Sequence, residues 1–131
     1  MKVALGIGCD RDTPVETIAQ AVDDALHQAG LTATDVAAVA SIDLKADEAG
    51  LLQIAAVRGW QIKFYQAAEL SEVAVPNPSE VVRKYTGTSS VSEAAALLAA
   101  QADMTQLLVE KYKLRGPDGR NATISIARIT Q

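Results

Sequence analysis

The spacing of apolar and polar positions changes period several times along the chain, and each change marks an element. Residues 2–8 carry Val3, Ala4, Leu5 and Ile7 with Gly6 and Gly8, the pattern of a short buried strand ending in a glycine-bearing turn. Val15, Ile18, Ala19, Val22, Leu26 and Ala29 then recur at helical intervals and predict a helix over 14–29. Its start is marked by Thr13 as a cap, Pro14 at the first helical position and Glu16 completing a capping box, and its stop by Gly30. A second unit repeats the order: an apolar run over 36–42 of strand length, then an Ala- and Leu-rich helix over 48–58 closed by Gly59. Residues 61–66 alternate Ile62 and Phe64 or Tyr65 with polar positions and predict a third strand.

Beyond Tyr65 the pattern is less regular. One helical turn is predicted at 67–72, a loop around Pro76 and Pro78, and a helix over 78–85. Ser90-x-x-Glu93 is a further capping box opening an alanine-rich helix over 91–101. Residues 106–112 and 122–129 alternate as strands around the hairpin loop Arg115-Gly116-Pro117-Asp118-Gly119-Arg120. The βαβαβ order predicts an α/β sheet covered by helices on both faces, and the terminal hairpin makes that sheet mixed.

Length and composition narrow what this fold does. The 131 residues suit one domain, 1–131, large enough to bury its own core. Aromatic residues make up only 4%, so the core must be built from Ala, Val, Leu and Ile, and few rings are left on which to stack bases. A formal charge of −4 gives no electrostatic footprint for nucleic acid or for anionic lipid. The single cysteine, Cys9, excludes an internal disulfide, and no spaced His or Cys cluster offers a metal site. His27, the lone histidine, falls on the polar side of the first helix, so no Ser-His-Asp or Cys-His arrangement can be assembled. Trp60 and Tyr112 read as packing residues, having no basic and aromatic neighbours in sequence. The apolar run at the N-terminus is too short to span a membrane and breaks at once into charges, so a first strand and a cytoplasmic protein are expected.

Three polar segments carry candidate chemistry. The turn Gly6-Ile7-Gly8-Cys9-Asp10-Arg11-Asp12-Thr13 joins a strand end to a helix start, where backbone N–H groups and Arg11 can hold an anion. The third glycine of a dinucleotide fingerprint is replaced by Arg11, and Asp10 and Asp12 oppose an anion, so a tight turn with a packed Cys9 explains the segment better than a nucleotide site does. In the second, Ser41 to Glu48, Asp43, Asp47 and Glu48 surround Lys45 at the carboxyl end of a strand, where open α/β sheets hold ligands. Asp47 or Glu48 suits a general base and Lys45 an anion partner, although acids at a helix start also merely favour its dipole. The third comprises the loops Pro76-Asn77-Pro78-Ser79 and Gly87-Thr88-Ser89-Ser90, which present caps or, alternatively, donors to carboxylates.

The segments GIGCDRDTP, SIDLKADEAGLL, VPNPSEVV, GTSSVSEAAALL and LLVEKYK, ending in TISIARI, occur in an order that resembles the cobalamin-biosynthesis family of CobE and the C-terminal domain of cobalt-precorrin-5A hydrolase, CbiG. The resemblance runs nearly the whole chain, with IDLKADE followed by AGLL its most distinctive stretch. It implies a three-layer α/β/α sandwich with a mixed, mainly parallel sheet and a C-terminal antiparallel hairpin. It also implies a precorrin or cobalt-precorrin tetrapyrrole as partner, other corrin-pathway enzymes as further partners, and no cofactor. In the complete hydrolase a lactone on ring A is opened and acetaldehyde released; the hydrolase's N-terminal region has no counterpart in these residues. The family's motif positions fall here on Gly8, Cys9, Arg11, Asp43, Lys45, Asp47, Glu48, Asn77, Ser79, Gly87, Ser90 and Glu93. Glu48 as base, with Lys45 as anion partner and Asp47 beside them, is the catalytic arrangement expected; Gly8, Cys9, Arg11, Asp43, Asn77, Ser79, Gly87 and Ser90 are expected to bind substrate. A non-catalytic carrier and a phosphate- or nucleotide-binding module are the alternatives. One departure is Asp12, at a position where relatives carry a small residue such as glycine.

Overall fold

The computed structural model describes residues 1–75 and 91–130. The helix expected over 78–85 and the candidate residues Asn77, Ser79, Gly87 and Ser90 lie outside them. Among the described residues the sheet has five strands in the order β3-β2-β1-β5-β4. These are β1 (Lys2–Cys9), β2 (Val36–Ile42), β3 (Ile62–Tyr65), β4 (Leu107–Arg115) and β5 (Asn121–Ile129). The first three are parallel, whereas β5 pairs antiparallel with both β1 and β4. The sheet is therefore mixed, with a C-terminal antiparallel hairpin, as the sequence predicts. The hairpin strand β4 runs to Arg115, three residues past the predicted 112, because Lys113, Leu114 and Arg115 still have partners on β5.

Helices α1 (Val15–Gln28) and α2 (Ala49–Arg58) lie on one face of the sheet. Ile18, Ala21, Val22, Ala25 and Leu26 of α1 join Leu51 and Ile54 of α2 over Val3, Leu5, Ile7, Ile124 and Ile126. At roughly 1.5–3 kcal/mol for each large aliphatic side chain fully buried, this layer is the main apolar core. Both helices end as their glycines require: Gly30 and Gly59 sit at φ +71° and +72°, the left-handed region where a Cβ is penalised. The start of α1 differs from expectation. Pro14 occupies the cap position, and the Thr13 hydroxyl donates to the Asp10 carbonyl at 2.7 Å, not into the helix. With Pro14 already at a fixed φ, the threonine closes the preceding turn and Glu16 stays exposed.

Helices α3 (Ala67–Ser71) and α4 (Val91–Ala100) cover the opposite face. Ala94, Ala95, Ala96, Leu97 and Ala100 of α4 pack on Ala4, Ala40, Ile42 and Ala127. Gly6 makes this contact possible: a Cβ there would lie 1.8 Å from the Ser92 carbonyl oxygen and 2.7 Å from the Ala96 nitrogen. The helix backbone thus rests directly on the strand. The Ser92 hydroxyl meets Ser125 on β5 at 2.9 Å, opposite Gly6, while Ala100 packs near Ala4, so α4 runs against β1 and begins at the carboxyl edge of the parallel strands. No helix among the described residues is long and apolar enough to cross a membrane.

Candidate functional site

The carboxyl ends of β1 and β2 bring the first two candidate segments together. Glu48, the residue before α2, is 2% exposed, and both of its carboxylate oxygens have donors from the β1–α1 loop. Oε1 accepts from the Asp12 backbone N–H at 2.9 Å, and Oε2 lies 3.2 Å from Arg11 Nη1. The same Nη1 is 2.8 Å from Asp47 Oδ1, and Nη2 donates to the Leu44 carbonyl at 2.7 Å. One guanidinium therefore spans three acceptors of the second loop. A buried carboxylate is costly unless paired and hydrogen-bonded, and this arrangement satisfies it from both sides.

Local backbone geometry explains why the loops meet here. Asp12 has φ +63°, a left-handed conformation that Asp tolerates better than most non-glycine residues, and this turns its N–H toward Glu48. Asp43–Lys45 form a single 3-10 turn, which places Leu44 and Asp47 around Arg11. Gly50 lets α2 approach the first loop: a Cβ there would sit 2.4 Å from the Thr13 carbonyl oxygen.

Electrostatics follow from these contacts. Hydrogen bonding and charge from Arg11 hold the Asp47 carboxyl below its ordinary range, and the same contacts raise the Arg11 guanidinium. Asp47 is thus a weak base in this arrangement. Burial pushes the Cys9 thiol up to about 11; Lys45 and Arg11 lower it, while Glu48 and Asp10 raise it further. Cys9 is a packed, protonated thiol and no ready nucleophile. Lys45 is half-buried and takes part in no ion pair among the described residues, so its ammonium is the available cation of this edge. Asp43 is exposed, and Gly8 lies at the rim with space around its Cα. Glu93 is fully buried at the start of α4, and no group of His, Cys, Asp and Glu among the described residues is arranged to hold a metal ion.

Several participants were not legible in the sequence. Asp10 Oδ2 accepts from the Asn121 backbone nitrogen at 2.8 Å and from its side-chain Nδ2 at 3.1 Å. Arg120 Nε donates to the Arg11 carbonyl at 3.0 Å. These contacts join the first loop to the β4–β5 hairpin, a strand-pairing neighbour but distant in sequence. The only available signal was the two arginines flanking the predicted turn.

The family model described as "Cobalamin synthesis G C-terminus" matches residues 3–127. Cobalt-precorrin-5A hydrolase of Priestia megaterium is 37% identical over 97% of this chain and 32% of its own length. Protein CobE of Sinorhizobium sp is 40% identical over 83% of this chain and 71% of its own. The chain thus spans about a third of the hydrolase and most of CobE. A crystal structure of CobE, a protein from the cobalamin biosynthetic pathway, superposes with a TM-score of 0.83 at 36% identity, covering 97% of this chain and 89% of the other. The cobalamin biosynthesis protein chiG of Agrobacterium tumefaciens gives 0.67 at 30% identity, covering 98% and 99%.

Proposed function

Because this chain belongs to the CbiG C-terminal family of cobalamin biosynthesis, we propose that it binds a precorrin-type tetrapyrrole at the carboxyl edge of β1 and β2. The observation that carries this reading is the junction in which Arg11 bridges Asp47, Glu48 and Leu44 beside Lys45, which forms no ion pair among the described residues. A precorrin presents several acetate and propionate carboxylates. Lys45 meets one directly. Arg11 takes another by exchanging Asp47, an 80% exposed partner whose loss in water costs little. The phosphate and nucleotide alternative has no need to be invoked: Asp10, Asp12 and Glu48 all stand against the first turn, and its arginine already faces carboxylates.

For lactone hydrolysis the base is Glu48. With Arg11 engaged, the Oε2 lone pairs face a cation and the group is held as an anchor. When a substrate carboxylate draws the guanidinium outward, Oε2 is left without its donor and can accept the proton of an attacking water. Asn77, Ser79, Gly87 and Ser90 complete the substrate contacts in this proposal.

The test is titration with precorrin-5A and cobalt-precorrin-5A, following pigment absorbance and assaying acetaldehyde. Lys45→Ala is expected to weaken binding about tenfold, one charge-assisted contact's worth. Glu48→Gln, which keeps an acceptor for the Asp12 N–H, is expected to bind while releasing no acetaldehyde. Binding without turnover by the unmodified chain would make it a carrier, and absence of binding would end the tetrapyrrole reading.

A further inference from the structure

The Arg11 carbonyl and the Asp12 N–H belong to one peptide group, and both of its polar ends are held by charged side chains from other segments. Glu48 Oε1 accepts from the N–H at 2.9 Å; Arg120 Nε donates to the carbonyl at 3.0 Å, across 109 residues of sequence. Arg120 is itself fixed within the hairpin turn. Asp118 accepts from its Nη1 at 3.1 Å and from its backbone N–H at 3.0 Å. The turn is closed by the Gly116 N–H bonding the Arg120 carbonyl at 2.8 Å, with Gly119 at φ +86°. It is seated against α1, since a Cβ on Gly116 would approach the Thr17 hydroxyl to 2.6 Å. The hairpin closes without any of Arg120's side-chain bonds to the first loop, so that reach serves the loop and not the turn.

A peptide clamped at both ends cannot flip, and a flip would be the simplest release of the left-handed Asp12. We infer that Arg120 is a positioning residue: with Glu48 it locks the Arg11–Asp12 peptide and so sets where the Arg11 guanidinium meets a ligand carboxylate. This rests on the reading of Arg11 as a carboxylate partner, and it adds the β4–β5 hairpin as a third wall of the site. Asp118 acts one step further out, by orienting Arg120.

Two readouts separate this inference from that reading. The first needs no ligand: amide exchange of Asp12, and the nitrogen resonances of the Arg11 guanidinium assigned with Arg11→Lys. Arg120→Ala is expected to speed Asp12 exchange about tenfold, as a lost hydrogen bond of modest strength implies, and to collapse the separate Arg11 Nη signals. Asp118→Asn is expected to move both in the same direction by less, and it serves if Arg120→Ala does not fold. The second readout compares cobalt-precorrin-5A with the same pigment methyl-esterified on its side chains. Arg120→Ala is expected to weaken binding of the acid about fivefold and leave the ester unchanged, whereas a general loss of structure would weaken both. Unchanged Asp12 exchange and Arg11 signals in a folded Arg120→Ala protein would overturn the inference, whatever binds. Failure of the unmodified protein to bind either pigment would instead overturn the tetrapyrrole reading, with the exchange data still deciding the role of Arg120.

Discussion

The two faces of the sheet are packed by different means. Toward α1 and α2, alternate residues of β1 are Val3, Leu5, Ile7 and Cys9, and the layer is held by the volume of branched side chains. Toward α4 the intervening residues are Ala4 and Gly6, and at Gly6 the layer is held by close approach of backbone to backbone. One strand therefore serves both packing modes through its two-residue period. The first mode tolerates small losses of volume, because neighbouring side chains can shift. The second tolerates no gain, because backbone atoms cannot move without taking a helix with them. The same close approach seats the start of α4 toward the carboxyl edge of the parallel strands.

Adding one methyl group on the α4 face is the largest test of this contrast. Gly6→Ala would set a Cβ 1.8 Å from the Ser92 carbonyl oxygen, so a loss of about 3 kcal/mol or more is expected, at or beyond the usual cost of overpacking. Urea unfolding monitored by circular dichroism would show it, and an unchanged midpoint would mean that α4 is free to lift from the strand. Removing one methyl group from the next residue, on the other face, is the matched experiment. Ile7→Val is expected to cost only about 1 kcal/mol by the same measurement. A cost equal to that of Gly6→Ala would erase the distinction between the faces.

The smallest effect lies at the end of the α1-face row. Burial holds the Cys9 thiol protonated up to about pH 11, so alkylation at pH 8 should be several-fold slower than in the urea-unfolded chain, which rate measurements on the two forms would reveal. The sign of the pH dependence follows from the same shift. With the native thiol titrating above the unfolded one, its contribution to stability is complete below the ordinary thiol range and declines as pH rises toward about 11. Cys9→Ser should flatten that decline. Rapid native-state alkylation would place Cys9 outside the packed row.

Much of this was legible from residue order because it rests on local physics. The period of Val15, Ile18, Val22 and Leu26 fixed α1 to within a residue at each end, and the bounds of β2 agree with the predicted 36–42. Glycines 30 and 59 ended their helices for a conformational reason intrinsic to glycine. The Thr13 capping box failed because an equally local competitor, the turn closed on the Asp10 carbonyl, took the hydroxyl. The proximity of Arg11 to the Asp47–Glu48 pair was implied only by the rule that parallel strands deliver their following loops to one edge. Which atoms meet was not.

Periodicity, caps and motif wording are properties of neighbouring residues, and they were enough for the strands, the helices among the described residues, the mixed α/β architecture and the family. Residue order gave no sign that Glu48 is buried with both oxygens engaged, that Gly6 admits a helix backbone, or that Arg120 reaches the peptide of Arg11. Each of those depends on distances between segments far apart in the chain, and such distances are fixed by strand order and packing, on which local preferences have no hold.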